Sequence, residues 1–198
     1  IFKLTEGQFA RLTSSTNKLN STKPNTSVTW NTLRGSAGSG SLPGGTLGDF
    51  NTAVRNAGFE QGTGFDLATE SMWEVACRAG DTHRFYGSDT AELMRTYGWF
   101  SDDGRVYYNV GTKQPNNWGI YDMKGNGWEK VRDVANWNNL ANLQPNGFLP
   151  ITSGKDASQC IARGAGVDRA YGDWPSPLSM RHYQSKSGSY TFRFAFYP

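Results

Sequence analysis

Sulfur and imidazole are scarce in this chain: its 198 residues carry two cysteines, Cys77 and Cys160, and two histidines, His83 and His182. A disulfide framework shows more cysteines at closer spacing, so the plainer reading is two buried thiols packing as small apolar side chains. Two histidines do not make a three-histidine facial site, and a mixed zinc site would require all four residues to converge. No apolar run approaches the ~20 residues that cross a bilayer as a helix. The formal net charge of +3 is scattered along the sequence, without the basic stripe of a nucleic-acid binder. There is no G-x-S-x-G elbow for a serine nucleophile, no internal repeat, no heptad, and no Pro-rich or charged linker. One domain over residues 1–198 is the expected organisation. The chain opens at Ile1 without Met or a signal-peptide pattern, as expected where the natural start is processed or belongs to a longer chain, so localisation is not read from this end.

Hydrophobic residues reach only 36%, yet aromatics make up 14%, with seven Trp, nine Tyr and eleven Phe. A few large rings can therefore supply much of the core. Twenty-four glycines point to turns and positive φ rather than long helices. Thr5 and Gln8 form a capping box ahead of a short helix that ends near Leu12, with Phe9 and Leu12 on one face. Ser27 to Trp30 reads as extended, and Gly35 to Gly45 as an irregular loop. Thr46 is the expected cap of a second helix, along which Leu47, Phe50, Val54 and Ala57 form a stripe that Gly58 ends. Thr69 caps a third, through about Arg78, with Met72, Trp73 and Ala76 facing inward and Gly80 beyond its end. From Tyr97 onward the pattern is loop-rich β structure. In the last segment Tyr190, Phe192, Phe194 and Phe196 alternate with Thr191, Arg193 and Ala195, as in a strand buried on at least one face.

Three segments, in order, resemble the formylglycine-generating-enzyme (sulfatase-modifying factor) family. Phe65-Asp66-Leu67-Ala68-Thr69-Glu70-Ser71-Met72-Trp73-Glu74-Val75-Ala76-Cys77-Arg78-Ala79-Gly80 is similar to R-L-P-T-E-A-E-W-E-Y-A-x-R-G-G. Val110-Gly111 and then Pro115-Asn116-Asn117-Trp118-Gly119-Ile120-Tyr121-Asp122-Met123-Lys124-Gly125-Asn126-Gly127-Trp128-Glu129 resemble V-G-x-x-x-P-N-x-x-G-L-Y-D-M-x-G-N-V-W-E. Ala162-Arg163-Gly164-Ala165-Gly166 looks like the R-G-G-S element, and Phe192-Arg193-Phe194 stands where the family has G-F-R. Phe2 to Leu12 resembles the family's opening helix, so the likeness spans nearly the whole chain, less a first strand. The resemblance implies an α+β fold of the C-type lectin type, in its formylglycine-generating-enzyme branch, loop-rich with little regular secondary structure.

The family's enzymes oxidise a substrate cysteine with a cysteine pair placed between R-G-G-S and G-F-R. Here Val167 to Thr191 contains no cysteine, and without a thiolate copper binding and oxygen activation have no basis at that site. Relatives that form carbon–sulfur bonds use iron on an added His-rich domain, which two histidines do not supply. The expectation is therefore a protein without catalysis and without a cofactor. Asn126 and Glu129 resemble positions that hold calcium in some members, which suits oxygen ligands; a turn closed without metal is the plainer reading.

What remains is the stretch between Gly166 and Phe192. Val167, Asp168, Arg169, Tyr171, Asp173, Trp174 and Ser176 form its first half, and Leu178, His182, Tyr183, Gln184, Ser185, Ser187 and Ser189 its second. Aromatics, charges and small hydroxyls mix without a period, as in an exposed recognition surface; a solvated loop is the alternative. The segment coincides with the region diversified in variable proteins of diversity-generating retroelements, several of which resemble this fold. That resemblance implies a binding protein on a cell surface, outside the cell or on a virion, contacting a protein or glycan ligand on another surface. Two other readings stand beside it: a divergent enzyme of the sulfatase-modifying type, and a structural or adaptor subunit of a surface assembly.

Overall fold

The computed structural model describes residues 2–35, 42–58, 64–100, 104, 106–134, 158–167 and 177–197. Helix α1, Glu6–Leu12, starts with the capping box the sequence predicts: Gln8 N–H donates to Thr5 Oγ1 at 3.1 Å, and Thr5 N–H to Gln8 Oε1 at 2.9 Å. The extended reading of 27–30 holds only as far as Thr29. That residue caps a short helix α2, Trp30–Arg34, accepting from Thr32 N–H at 3.0 Å, and five residues are too few to show a helical period. Helix α3, Gly45–Asn56, begins one residue before the expected Thr46 cap, and its N-cap is Gly44, without a side-chain bond. Backbone packing sets that start: Gly45 has φ 54°, and a Cβ there would press into the Thr32 and Leu33 carbonyls of α2. Along α3 Leu47 is buried, Phe50 and Val54 are half-buried, and Ala57 is exposed.

Helix α4, Glu70–Arg78, is capped by Thr69, which accepts from Met72 N–H at 3.1 Å. Asp133 adds a second cap from another element, accepting from Glu70 N–H at 2.6 Å. Trp73 and Cys77 face the core and Ala76 packs against it, whereas Met72, expected inside, is 39% exposed. Residues three or four apart share a helix face, so the Trp73–Cys77 pair fixes the buried side and places Met72 beside it. Helix α5 is one turn, Met94–Tyr97.

Among the described residues five short strands form two antiparallel sheets. β1, Gly64–Leu67, pairs with β5, Phe194–Tyr197, and β2, Glu129–Val134, β3, Gln159–Arg163, and β4, Arg181–Ser185, lie in the order β2-β3-β4. One hydrophobic cluster gathers Trp73, Phe85, Met94, Trp128, Ile161 and Leu178, and a second gathers Val28, Trp30, Leu33, Leu47, Cys160 and Phe192. The alternation expected at the C-terminus is broken. Thr191, Phe192 and Arg193 are all buried and Phe196 is exposed, because Thr191 bonds to Trp128 and Arg193 to Glu129 before the chain pairs with β1 as β5. Among the described residues no helix is long and apolar enough to cross a membrane.

Candidate functional site

β4 and the turn after it carry the described half of the predicted recognition segment. β4 is the outer strand of its sheet, held to β3 through pairs from Arg163–Arg181 to Gln159–Ser185. Ser179, Ser185, Ser187 and Ser189 are exposed, and the hydroxyls of Ser185 and Ser187 meet at 2.7 Å. His182 and Tyr183 are half-buried, the His182 ring tilted against Trp128 with centroids 5.4 Å apart. Val167 and Leu178, expected on the face, are core side chains, and Gln184 is buried beneath it. Val167 and Leu178 are both apolar, at the start and near the middle of the segment, and water is expelled more cheaply from them than from its hydroxyls and charges. Asp168, Arg169, Tyr171, Asp173, Trp174 and Ser176 lie outside the described residues.

The face is tied to the scaffold mainly through its own backbone, and cations do the tying. Lys124 is fully buried and donates to Pro177 O at 3.0 Å. Arg163, in the R-G element, donates to Leu178 O at 3.0 Å and pairs with Glu70 at 2.7 Å and with Glu74, while Leu178 N–H reaches Arg84 O at 2.9 Å. Lys130 donates to Ser185 O and to Gly188 O at 2.6 Å, and lies 4.9 Å from the Tyr190 ring. Burial pushes Lys124 and Lys130 each down to about 8. Side chains add to this: Arg181 pairs with Glu70 at 2.8 Å, and Lys186 Nζ lies 4.5 Å from the Trp30 ring. Sequence reasoning missed Lys124 and Lys130 and gave Arg163 no role. Lys124 and Arg163 stand inside the quoted motifs and Lys130 directly after one, but nothing local marks them as anchors.

Glu129 and Asn126 are both fully buried, and both point at protein partners. Glu129 accepts from Lys3 Nζ at 2.5 Å, Trp73 Nε1 at 3.0 Å, and Arg193 Nε and Nη2 at 2.8 and 2.9 Å. Burial alone would raise its carboxyl, but Arg193 and Lys3 beside it hold it down at about 2. The Asn126 amide brackets one residue, donating to Tyr108 O at 3.1 Å and accepting from Tyr108 N–H at 3.0 Å. The oxygens a calcium ion would need are thus turned on Lys3, Arg193, Trp73 and Tyr108. The calcium reading does not fit this arrangement, and closing a turn fits it well.

The two cysteines are not a pair. Cys77 sits in the first cluster with its Sγ 3.3 Å from the Tyr86 hydroxyl, and Cys160 in the second with its Sγ 3.6 Å from Gln184 O. Burial raises both thiols, Cys160 to about 11, which suppresses the thiolate that redox and metal chemistry use. His83 is exposed and bonded to Asp81 at 2.7 Å. Among the described residues no three His, Cys, Asp or Glu side chains cluster as metal ligands.

A family model described as the sulfatase-modifying factor enzyme 1-like domain matches residues 3–194. Treponema denticola variable protein 1 is similar at 25% identity with a TM-score of 0.55, covering 68% of this chain and 48% of that one. The chain thus spans about half the length of that protein. PvdO from Pseudomonas aeruginosa has a TM-score of 0.66 at 19% identity, covering 100% of this chain and 78% of its own. CarF has a TM-score of 0.61 at 16% identity, covering 97% and 84%; at these identities both likenesses speak to the fold alone. No curated protein sequence matches the chain.

Proposed function

The chain belongs to the sulfatase-modifying factor enzyme 1-like family, with the C-type lectin type of α+β fold, and from that premise we propose that it is a ligand-binding protein without catalytic activity. Its recognition face is the C-terminal segment from residue 167 to 189, diversified in its exposed side chains and turned toward a protein or glycan on another surface. The observation that carries this reading is the division of labour in that segment. Between Pro177 and Gly188 its main chain is gripped by Lys124, Lys130 and Arg163, while Ser179, Ser185, Ser187 and Ser189 stay exposed. A fixed backbone presenting small hydroxyls beside half-buried His182 and Tyr183 loses little entropy on binding. The likeness to a protein named a variable protein supports the same reading. Display at a cell surface or on a virion is part of the proposal.

Chemistry favours binding over turnover. A family oxidase would need two reactive thiols near this face, and the two present are buried in different clusters. The test is a screen of the purified chain against arrayed glycans and surface proteins, followed by His182→Ala and Tyr183→Ala on whatever binds. A tenfold or greater loss of affinity with the melting temperature kept is expected. Unchanged affinity, or copper-dependent oxygen consumption with a cysteine-containing peptide, would overturn the reading.

A further inference from the structure

The described half of the recognition face, residues 177–189, contains no Asp or Glu, and its Lys and Arg side chains are Arg181 and Lys186. Lys186 is buried, with its Nζ 4.5 Å from the Trp30 ring. Arg181 stands at the surface, its side chain 35% exposed. It ends a chain of ion pairs that runs from β4 to α4. Arg181 Nε lies 2.8 Å from Glu70 Oε1, and the same oxygen takes Arg163 Nη1 at 2.7 Å. Arg163 also meets Glu74, which takes Arg78 Nε at 2.6 Å. Three guanidinium groups thus share two carboxylates, and one positive charge is left over.

That surplus falls on Arg181. Arg163 is buried and also bonded to Leu178 O, and Arg78 gives a second bond to His83 O at 3.1 Å. Arg181 pairs with Glu70 alone among the described residues, through Nε, so its terminal nitrogens Nη1 and Nη2 have no partner there. Glu70 does not depend on it, because the buried Arg163 neutralises the same oxygen. A guanidinium keeps its charge at ordinary pH and presents a planar fork that fits a carboxylate. Arg181, Tyr183 and Ser185 share one face of β4, since alternate residues of a strand do, at intervals of about 6–7 Å. A cation, a half-buried ring and an exposed hydroxyl therefore stand in a row.

We propose that Arg181 binds a carboxylate of the ligand, and that the ligand is an acidic glycan built of uronate or sialate sugars. This rests on residues 167–189 being the recognition face and adds the chemistry that the face selects. The carboxylate forks onto the outer nitrogens of Arg181, Tyr183 packs against the C–H face of the adjoining sugar, and the Ser185 hydroxyl meets those of the ring. A protein partner fits less well. Protein interfaces have an apolar centre, and none of the exposed large apolar side chains among the described residues lies between 177 and 189.

The test uses the whole chain and oligomers of galacturonate, glucuronate and sialate, each beside its carboxyl methyl ester, in titration calorimetry at low and high salt. At least one acid form is expected to bind saturably, about tenfold more tightly than its ester and more weakly as salt rises. Arg181→Gln should remove that preference with the melting temperature kept, and Arg181→Lys should restore only part of it. Equal binding of acid and ester, or a preference that survives Arg181→Gln, would overturn the proposal, as would no binding of any of these oligomers. Binding that appears only in the double variant Asp168→Asn/Asp173→Asn assigns Arg181 to this chain's own carboxylates and overturns it too. The face itself is judged apart: a neutral glycan or a protein that loses affinity with Tyr183→Ala leaves the face standing and removes the acidic glycan as its ligand.

Discussion

Glu129 receives four hydrogen bonds from three side chains, drawn from residue 3, from α4 and from residue 193. Removing one member of a buried ion pair leaves an uncompensated charge, at a cost of about 3–5 kcal/mol. Glu129→Gln should therefore destabilise the chain by about that much in urea denaturation. The pH dependence has a definite sign. The carboxyl titrates at about 2 when folded and at its ordinary 4.5 when unfolded, so between those values the unfolded chain binds more protons and stability rises with pH. The contribution is complete above about pH 4.5 and is lost as pH falls through 2. Glu129→Gln should flatten the acid limb of a stability–pH profile; an unchanged slope would show that the cluster does not hold that proton off. None of this was legible in the sequence. Glu129 stands in a quoted motif, but its partners Lys3 and Arg193 lie more than sixty positions away on either side, and no local pattern links them.

Between elements, asparagine amides act as short substitutes for strand partners. Asn51 brackets Phe65 and Asn126 brackets Tyr108. Asn116 accepts from Trp118 and Ile120 N–H while donating to the Ala76 and Cys77 carbonyls at the end of α4. Asn51→Ala strands two backbone groups of β1, and a loss of about 1–3 kcal/mol is expected. Asn51→Asp, which cannot donate to Phe65 O when ionised, should lose part of that. A change within about 0.5 kcal/mol for Asn51→Ala would mean that water satisfies Phe65 instead. Local rules recovered the helices whose signals are local: the Thr5–Gln8 box of α1 and the Thr69 cap of α4. They misjudged the start of α3, because Gly45 is set by its approach to α2, and they put Met72 inside, because neighbouring helix positions differ in burial only through what lies across from them.

At the scale of the molecule, residues near the two ends are joined through the middle of the chain: Lys3 and Arg193 share Glu129, and Leu4 bonds to Phe192. The order of the motifs gave the family from sequence. The composition of residues 167–189 drew attention to that face, though Val167, Leu178 and Gln184 proved to lie inside. What the sequence hid was the means of holding the face, since lysines and arginines directed at main-chain carbonyls leave no trace in the residues they grip. Anchors of that kind place no demand on the side chains above them.

The most direct measurement of the central claim is sequencing of this coding region across a natural population. Dense replacement is predicted within 167–189 at exposed positions such as Ser179, Ser185, Ser187 and Ser189, with Lys124, Lys130 and Arg163 unchanged. Equal constancy in residues 97–133 and 167–189 would contradict a diversified recognition face on a fixed scaffold.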